Sequence, residues 1–368
     1  MKITGLETRT VKVNHRGDWV FVFLRTDEGV TGLGEASHSG NDALMVQRLK
    51  QAEEFLIGRE PFDIERTVSA LVQQGVFRSR FSAGGAGAVE MALWDIAGKA
   101  VGLPVFRMLG GAVHRQVRLY ANINRGLVER TPEEFARMAE RAVAAGFDAV
   151  KCDPFDGLHL ARLGREAGER ALDPAMSRLK AIRRAVGEKV DLLVDAHARF
   201  SPALAREVAR RLEEFGLFWL EDPVELEQME ALLELRRATQ IPLAGAEGLI
   251  NRFEYRRVLE RGCLDVILPD VKYCAGILEL KRIASLAETF GVLVAPHGPS
   301  GPVSLAASVQ AMLGTPNFLI QEYAFGEIDW RADLAHGTEI LENGRVPIPE
   351  RPGLGVELDE KLLERYQA

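Results

Sequence analysis

Hydrophobic positions are spaced in two different ways along this chain. Near its start they form three short runs, ITGLETRTVKV, WVFVFLRTDEG and TGLGEAS, that read as strands of a meander, followed by helical spacing over about Asn41 to Leu71 and about Ala83 to Ala100. This predicts a small α+β unit. A Gly/Pro-rich passage, GLPVFRMLGG, marks its end, and beyond it amphipathic helix and apolar strand take turns.

In TPEEFARMAERAVAAGFDAVKCD, Thr131 stands as N-cap, Pro132 at the first helical position and Glu134 three residues after the cap, while Gly146 closes the helix before the strand FDAVKCD. SPALAREVARRLEEFGLFWLEDP repeats the unit. Ser201 and Pro202 open its helix, Leu204, Val208, Leu212 and Phe215 form the buried stripe, and Gly216 releases the chain into LFWLE.

Strand ends carry a longer rhythm. LLVD ends at Asp195, FWLE at Glu221, PLAGAE at Glu247, VILPD at Asp270, VLVAPH at His297 and FLIQE at Glu322, so positions 195, 221, 247, 270, 297 and 322 are 26, 26, 23, 27 and 25 residues apart. Each step is the length of one strand and one helix. With LYANIN and AVKCD upstream the strands number eight, which predicts an α/β fold, a TIM-type (β/α) barrel whose active site lies at the C-terminal strand ends. A solenoid is the weaker alternative, because the units share no side-chain motif. The expected organisation is an α+β capping domain over residues 1–112, the barrel over 113–323, and a loop-rich segment over 324–368 that returns to complete the cap.

Composition narrows the function. At 368 residues, 47% hydrophobic and 27% charged, the chain has room for one large core and a second domain. A net charge of −7 gives no electrostatic footprint for nucleic acid, and Arg-rich pieces such as RRLEEF read as solvated helix faces. Cys152, Cys263 and Cys274 form no CxxC pair and leave one cysteine unmatched, which suits a reducing compartment. MKITGLETRTVKV lacks the apolar centre of a signal peptide, and no run reaches the roughly 18 apolar residues of a membrane span. The expectation is a cytoplasmic chain with no nucleic-acid or membrane partner.

Candidate chemistry gathers at the strand ends. In DLLVDAHARF a strand continued past Asp195 aims Asp195 and His197 the same way, toward one ligand; the bland alternative is that Asp195 caps the next helix and His197 is a loop histidine. Sequential strand order places Asp195, Glu221 and Glu247 on three adjacent strands. Any one of them reads equally well as a helix cap, but three carboxylates in succession repel unless a cation neutralises them. Hard oxygens without a cysteine or a histidine pair favour Mg²⁺ over Zn²⁺. Asp270 and His297 come from neighbouring strands, where a carboxylate fixes the imidazole tautomer and raises its basicity.

Taken together, GAVEMALWDIAGKAVGLPVFRMLGG, VDAHARF, FWLEDP, PLAGAEG, LPDVKYCAGI, VAPHGPSGPVSLAAS and FLIQE make the chain resemble the enolase superfamily, in its mandelate racemase and galactonate dehydratase-like branch, over essentially its whole length. The resemblance implies a small-molecule carboxylate substrate, a homo-oligomer, and abstraction of the proton α to the carboxylate to give an enediolate stabilised by one Mg²⁺ on Asp195, Glu221 and Glu247. It implies that His297 with Asp270 is a base, that Glu322 is the acid contacting the substrate carboxylate, and that Lys151 lies near it. His197, in its Asp-x-His pattern, resembles the sugar-acid dehydratase histidine that protonates the departing β-hydroxyl; simply lining the polar mouth is the alternative.

Departures from the family pattern matter too. Racemases of this branch commonly carry Lys-x-Lys where this chain has Lys151-Cys152-Asp153, so a second lysine base is missing. Asp153 is expected to hold Lys151 or cap the turn, and it stands with Arg199 among the candidate substrate-binding residues. Ala275 and Ala246 read as packing variants. The cap loops NHRGDW and VFRSRFS are expected to meet the substrate's far end, with a glycine beside Trp19 suiting a hinged lid and Arg78 and Arg80 either gripping a second carboxylate or simply solvated. The resulting expectation is a Mg²⁺-dependent hydro-lyase that turns an aldonate or aldarate into a 2-keto-3-deoxy acid. The alternatives are a racemase, epimerase or cycloisomerase working through the same chemistry, and a metal-binding scaffold without activity.

Overall fold

The computed structural model describes residues 1–37, 40–73, 80–156, 172–337, 339 and 341–368, with backbone alone for residues 80 and 81. Strands β1 (Ile3–Asn14), β2 (Gly17–Thr26) and β3 (Thr31–Glu35) form an antiparallel sheet in that order. Helices α1 (Asp42–Leu56), α2 (Ile64–Gln73) and α3 (Arg80–Val101) follow, then the short α4 (Val105–Met108). The sheet and α3 meet almost backbone to backbone: a Cβ placed on Gly34 would stand 1.9 Å from the Ala88 carbonyl oxygen. Only glycine permits that approach.

The barrel strands are β4 (Gln116–Asn122), β5 (Ala149–Cys152), β6 (Asp191–Asp195), β7 (Leu217–Glu221), β8 (Leu243–Gly245), β9 (Val266–Ile267), β10 (Leu293–Val294) and β11 (Gln321–Ala324). Between them run α5 (Pro132–Ala144), α6 (Asp173–Val186), α7 (Pro202–Leu212), α8 (Met229–Ala238), α9 (Arg252–Arg261), α10 (Ile277–Thr289) and α11 (Pro302–Met312). Neighbouring strands pair in parallel from β11 through β4 to β10. A single bridge between Val294 and Phe318 closes the ring, so this is a TIM-type barrel.

Local signals explain these elements. Thr131 and Ser201 each accept a hydrogen bond from the third residue of their helix, Glu134 N and Leu204 N. Glu134 turns back to Val128 N and Arg130 N rather than to the cap residue's own N–H. Gly216 ends its helix at φ 55°, in the left-handed region. Inside the barrel, Tyr120, Leu193, Trp219, Leu268 and Ile320 fill a dry layer, with the Tyr120 and Trp219 rings edge to face at 5.5 Å. Everything polar is thereby pushed to the strand ends.

After β11 the chain forms α12 (Arg331–Leu334), β12 (Ala335–Gly337), β13 (Arg345–Pro347), β14 (Val356–Leu358) and α13 (Glu360–Arg365). β13 pairs with β4, whereas residues beyond α13 reach the cap, where Lys12 N donates to Tyr366 O at 2.8 Å and Ala368 N to Thr10 O at 2.9 Å. The Trp330 ring stacks on Tyr366 at 4.0 Å and meets Trp19 edge-on at 5.8 Å. Trp19 therefore lies within β2, 1% exposed, which corrects its placement in a hinged loop facing substrate: the indole is packed against Phe21, Trp330 and Arg331. No described helix is long and apolar enough to cross a membrane.

Candidate active site

Strand register decides which side chains meet at the barrel mouth. β6 and β7 pair with Asp195 opposite Glu221, Lys151 of β5 lies opposite both Asn122 and Leu193, and Glu322 of β11 lies opposite Tyr120. Lys151 is buried at the centre of these residues. Its ammonium stands 2.8 Å from Glu221 Oε1, 2.9 Å from Glu322 Oε1 and 3.7 Å from Asp195 Oδ2. Burial pulls Lys151 down, but the charges of Glu221 and Glu322 outweigh it and hold the group well above the ordinary lysine value. It stays charged.

Glu322 also accepts Asn122 Nδ2–H at 2.7 Å and Gly298 N–H at 2.8 Å. Burial raises it, but Lys151, His297 and the Gly298 N–H together bring it down to about 2. Glu322, expected as the acid contacting a substrate carboxylate, is thus hydrogen-bonded on both oxygens here and favoured in its ionised form. The reason is Lys151, whose charge it shares with Glu221.

Asp270 and His297 both lie beyond their strands, β9 and β10 being only two residues each. His297 Nδ1 is 2.8 Å from Asp270 Oδ2, and its Nε2 is 3.3 Å from Glu247 Oε2 and 4.0 Å from Glu322 Oε2. Burial lowers the imidazole, yet Glu247, the Asp270 bond and Glu322 raise it above its usual value. Burial also works against ionised Asp270, but Lys272 and His297 outweigh it and hold Asp270 well below the usual carboxylate range.

His197 departs from the expected geometry. β6 stops at Asp195, and His197 and Ala198 take φ of 46° and 53°, so the histidine sits on a left-handed turn and does not continue the strand. The turn still brings it back: Asp195 Oδ1 accepts His197 N–H at 2.9 Å, and the imidazole Nδ1 lies 3.4 Å from Asp195 Oδ1 and 3.1 Å from Asp153 Oδ2. Burial lowers this half-exposed ring, but Asp195, Asp153 and Glu247 carry it up to about 9. The two carboxylates beside it favour the protonated ring.

Asp153 caps its turn by accepting Phe155 N–H at 3.0 Å, and both its oxygens lie 2.8 Å from Arg199 Nη1. It binds Arg199 and His197 rather than Lys151, and Arg199 reaches on to Asp156 at 3.1 Å. Arg130, which no strand-end signal marks, pairs with Asp156 and donates to Asp153 O at 2.7 Å. Both expected substrate contacts on this side, Asp153 and Arg199, are therefore spoken for by each other. Arg78 and the Arg80 side chain lie outside the described residues. Ala246 and Ala275, read as packing variants, have φ of 73° and 64°, a left-handed conformation that glycine adopts more readily.

Two further polar residues were missed, Asn122 and Lys272. Asn122 ends β4 two residues before the close of LYANIN, so a strand-end rule extended to amides would have picked Asn124 and passed over it. Lys272 carries no such signal, standing two residues past Asp270 in an otherwise apolar passage.

The donor set suits a divalent cation. Burial and mutual repulsion push Glu221 well above its usual value and Asp195 above its own, and Asp222 is driven to about 7 by burial and the charges of Glu247 and Asp195. One ammonium, Lys151, faces this excess of negative oxygen, which is the electrostatic condition of a hard-cation site. As placed, no three such side chains among the described residues are grouped closely enough to hold an ion; Glu247 leans on His297 and Asp195 on His197. A separate cavity of about 540 Å³ between the cap and α10, lined by Glu90, Phe253 and Leu278 among others, contains none of these residues.

Comparison with known proteins agrees with this architecture. Residues 7–110 match the mandelate racemase/muconate lactonizing enzyme N-terminal domain, and residues 134–362 the enolase C-terminal domain-like family. The D-xylonate dehydratase of Haloferax volcanii is 33% identical over 372 residues, covering 99% of this chain and 89% of that protein. The D-galactonate dehydratase of Variovorax paradoxus is 34% identical over 380 residues, covering 99% and 94%. A crystal structure of a mandelate racemase/muconate lactonizing enzyme-like protein from Rubrobacter xylanophilus superposes with a TM-score of 0.91 at 33% identity, over 100% of this chain and 98% of that one. With both halves matched in order and the barrel closed beneath its cap, this chain belongs to the enolase superfamily, in its mandelate racemase/muconate lactonizing enzyme branch.

Proposed function

We propose that this chain is a hydro-lyase that removes water from a sugar acid, an aldonate or aldarate, to give a 2-keto-3-deoxy acid. The observation that carries this reading is the pair of unlike histidines at one mouth: His297, oriented through Nδ1 by Asp270, and His197, placed between the Asp153 and Asp195 carboxylates. Full-length relatives named as D-xylonate, D-galactonate and D-gluconate/D-galactonate dehydratases support it.

In this reading Asp195, Glu221 and Glu247 would hold one Mg²⁺. The chemistry a bound ion supplies is to offset negative charge building on the substrate carboxylate and to take the charge of Glu247 off His297. His297 Nε2 accepts the proton from the carbon next to the carboxylate, its Nδ1–H remaining on Asp270. His197 gives its proton to the β-hydroxyl, which leaves as water, and the enol so formed tautomerises to the ketone. Lys151 keeps its ammonium and balances Glu221 and Glu322. Racemisation needs a base on each face of the α carbon, and the position of the usual second lysine holds Asp153, which is tied to Arg199.

The test is a screen of aldonates and aldarates with a 2-keto-acid assay, run with Mg²⁺ and with EDTA. Keto acid formed only with the metal is the expected result. Inversion of the α carbon of an intact hydroxy acid, with no keto acid from any substrate, would overturn the proposal.

A further inference from the structure

We propose that Lys272 is a positioning residue that clamps Asp270 and, through it, fixes the orientation of the His297 imidazole. This rests on the reading of His297 as the base. Lys272 is 0% exposed. Its Nζ lies 2.8 and 3.1 Å from the two Asp270 oxygens and 2.5 Å from Ser300 Oγ, while its own backbone N–H donates to Asp270 Oδ1 at 2.7 Å. The Asp270 carboxylate therefore meets donors from one residue on both oxygens before it meets His297. A carboxylate held by the imidazole alone is free to turn about its last torsion, and the ring turns with it; held by Lys272 it presents Oδ2 in one place.

The clamp is anchored outside the barrel. Ser300, which receives Lys272, gives its carbonyl to Arg331 of the C-terminal segment at 2.6 Å, and the next N–H, of Gly301, donates to Glu35 of the cap at 2.7 Å. From the other side α3 presses on the Lys272 backbone so closely that a Cβ on Gly87 would lie 2.5 Å from the Lys272 carbonyl oxygen. Cap, barrel and C-terminal segment thus converge on one buried ammonium. Reacting atoms must be held within tenths of an ångström for proton transfer, which gives such support a kinetic consequence.

The experiment uses the Mg²⁺-loaded protein, with Lys272→Met as the principal variant and Ser300→Ala as the milder one. Long-range proton–nitrogen spectra report the ring of His297, identified by the signal lost in His297→Asn. The parent should show a single fixed tautomer with Nδ1 protonated, and Lys272→Met a shifted or averaged one. On a substrate found by the screen, Lys272→Met should lower kcat about 100-fold with KM changed less than about twofold. In an Asp270→Asn background the same substitution should cost less than about threefold, since a residue acting through Asp270 has nothing left to orient. If Lys272→Met does not fold, Ser300→Ala should move the same signal and lower kcat about 3- to 10-fold. An unchanged His297 signal in whichever variant folds, or penalties that simply multiply in the double variant, would overturn the proposal. Should the signal move while the parent dehydrates no sugar acid, the clamp stands and the dehydratase reading falls.

Discussion

Lys151→Met keeps the bulk of the side chain and removes the ammonium that Glu221, Glu322 and Asp195 share. The loss is unevenly distributed. Glu322 retains Asn122 and the Gly298 N–H, whereas Glu221 retains only Trp219 Nε1–H at 3.0 Å among the donors described. Breaking one buried pair by removing one partner costs about 3–5 kcal/mol. An unfolding entropy of roughly 2.1 cal/mol/K per residue amounts to about 0.8 kcal/mol/K over 368 residues, so the melting temperature should fall by about 4–6 °C. The pH dependence has a definite sign. Glu221 is already above its usual value, and losing Lys151 raises it further; a carboxyl raised in the native state destabilises above its unfolded pKa of about 4.3, so the deficit is large at pH 8 and shrinks toward pH 5. Thermal unfolding followed by circular dichroism, at one scan rate and in EDTA, measures both effects. Added Mg²⁺ should recover more stability in the variant than in the parent, because it replaces the missing cation. A melting temperature within about 1 °C of the parent at both pH values would show that Lys151 does not neutralise this cluster.

Other outcomes rest on the same geometry. Glu221→Gln should weaken Mg²⁺ binding at least about tenfold by calorimetry, and unchanged affinity would remove it from the metal site. His297→Asn should lower turnover by about 100-fold or more while Mg²⁺ affinity is kept; an active variant would refute its role. His197→Asn should slow water loss more than α-proton exchange with deuterated solvent, both followed in one NMR sample, and equal slowing would deny it the leaving group. Gly34→Ala forces a methyl to within 1.9 Å of the Ala88 carbonyl and should destabilise the cap by about 1–3 kcal/mol in urea unfolding.

How much of this was readable in the chain depends on the backbone each residue occupies. Asp195 and Glu221 close regular strands of five residues, where an apolar run ending in an acid places the residue at the strand end and its repetition suggests the role. His297 and Asp270 come after strands of two residues, so the alternation rule has almost nothing to act on, and the apolar runs VILPD and VLVAPH together with the family motifs around them located the pair. His197 defeated the rule altogether. The chain leaves the strand at a left-handed turn built from His197 and Ala198, and glycine, the usual mark of such a turn, is absent. Trp19 was misplaced because residues that pack against it, Trp330 and Arg331, lie more than 300 positions away in the sequence. Local pattern cannot report a wall that distant.

The joining of residues near the two termini has a consequence for synthesis. Val11 bridges Gln367 and Thr10 O takes the Ala368 N–H, so the Thr10–Lys12 stretch of β1 is met by residues that leave the ribosome after the entire barrel. Until then β1 presents open backbone groups, the kind of edge on which chains pair with one another. In a nascent chain of this protein that stretch therefore stays open while the barrel is made, and a stall late in translation prolongs its exposure.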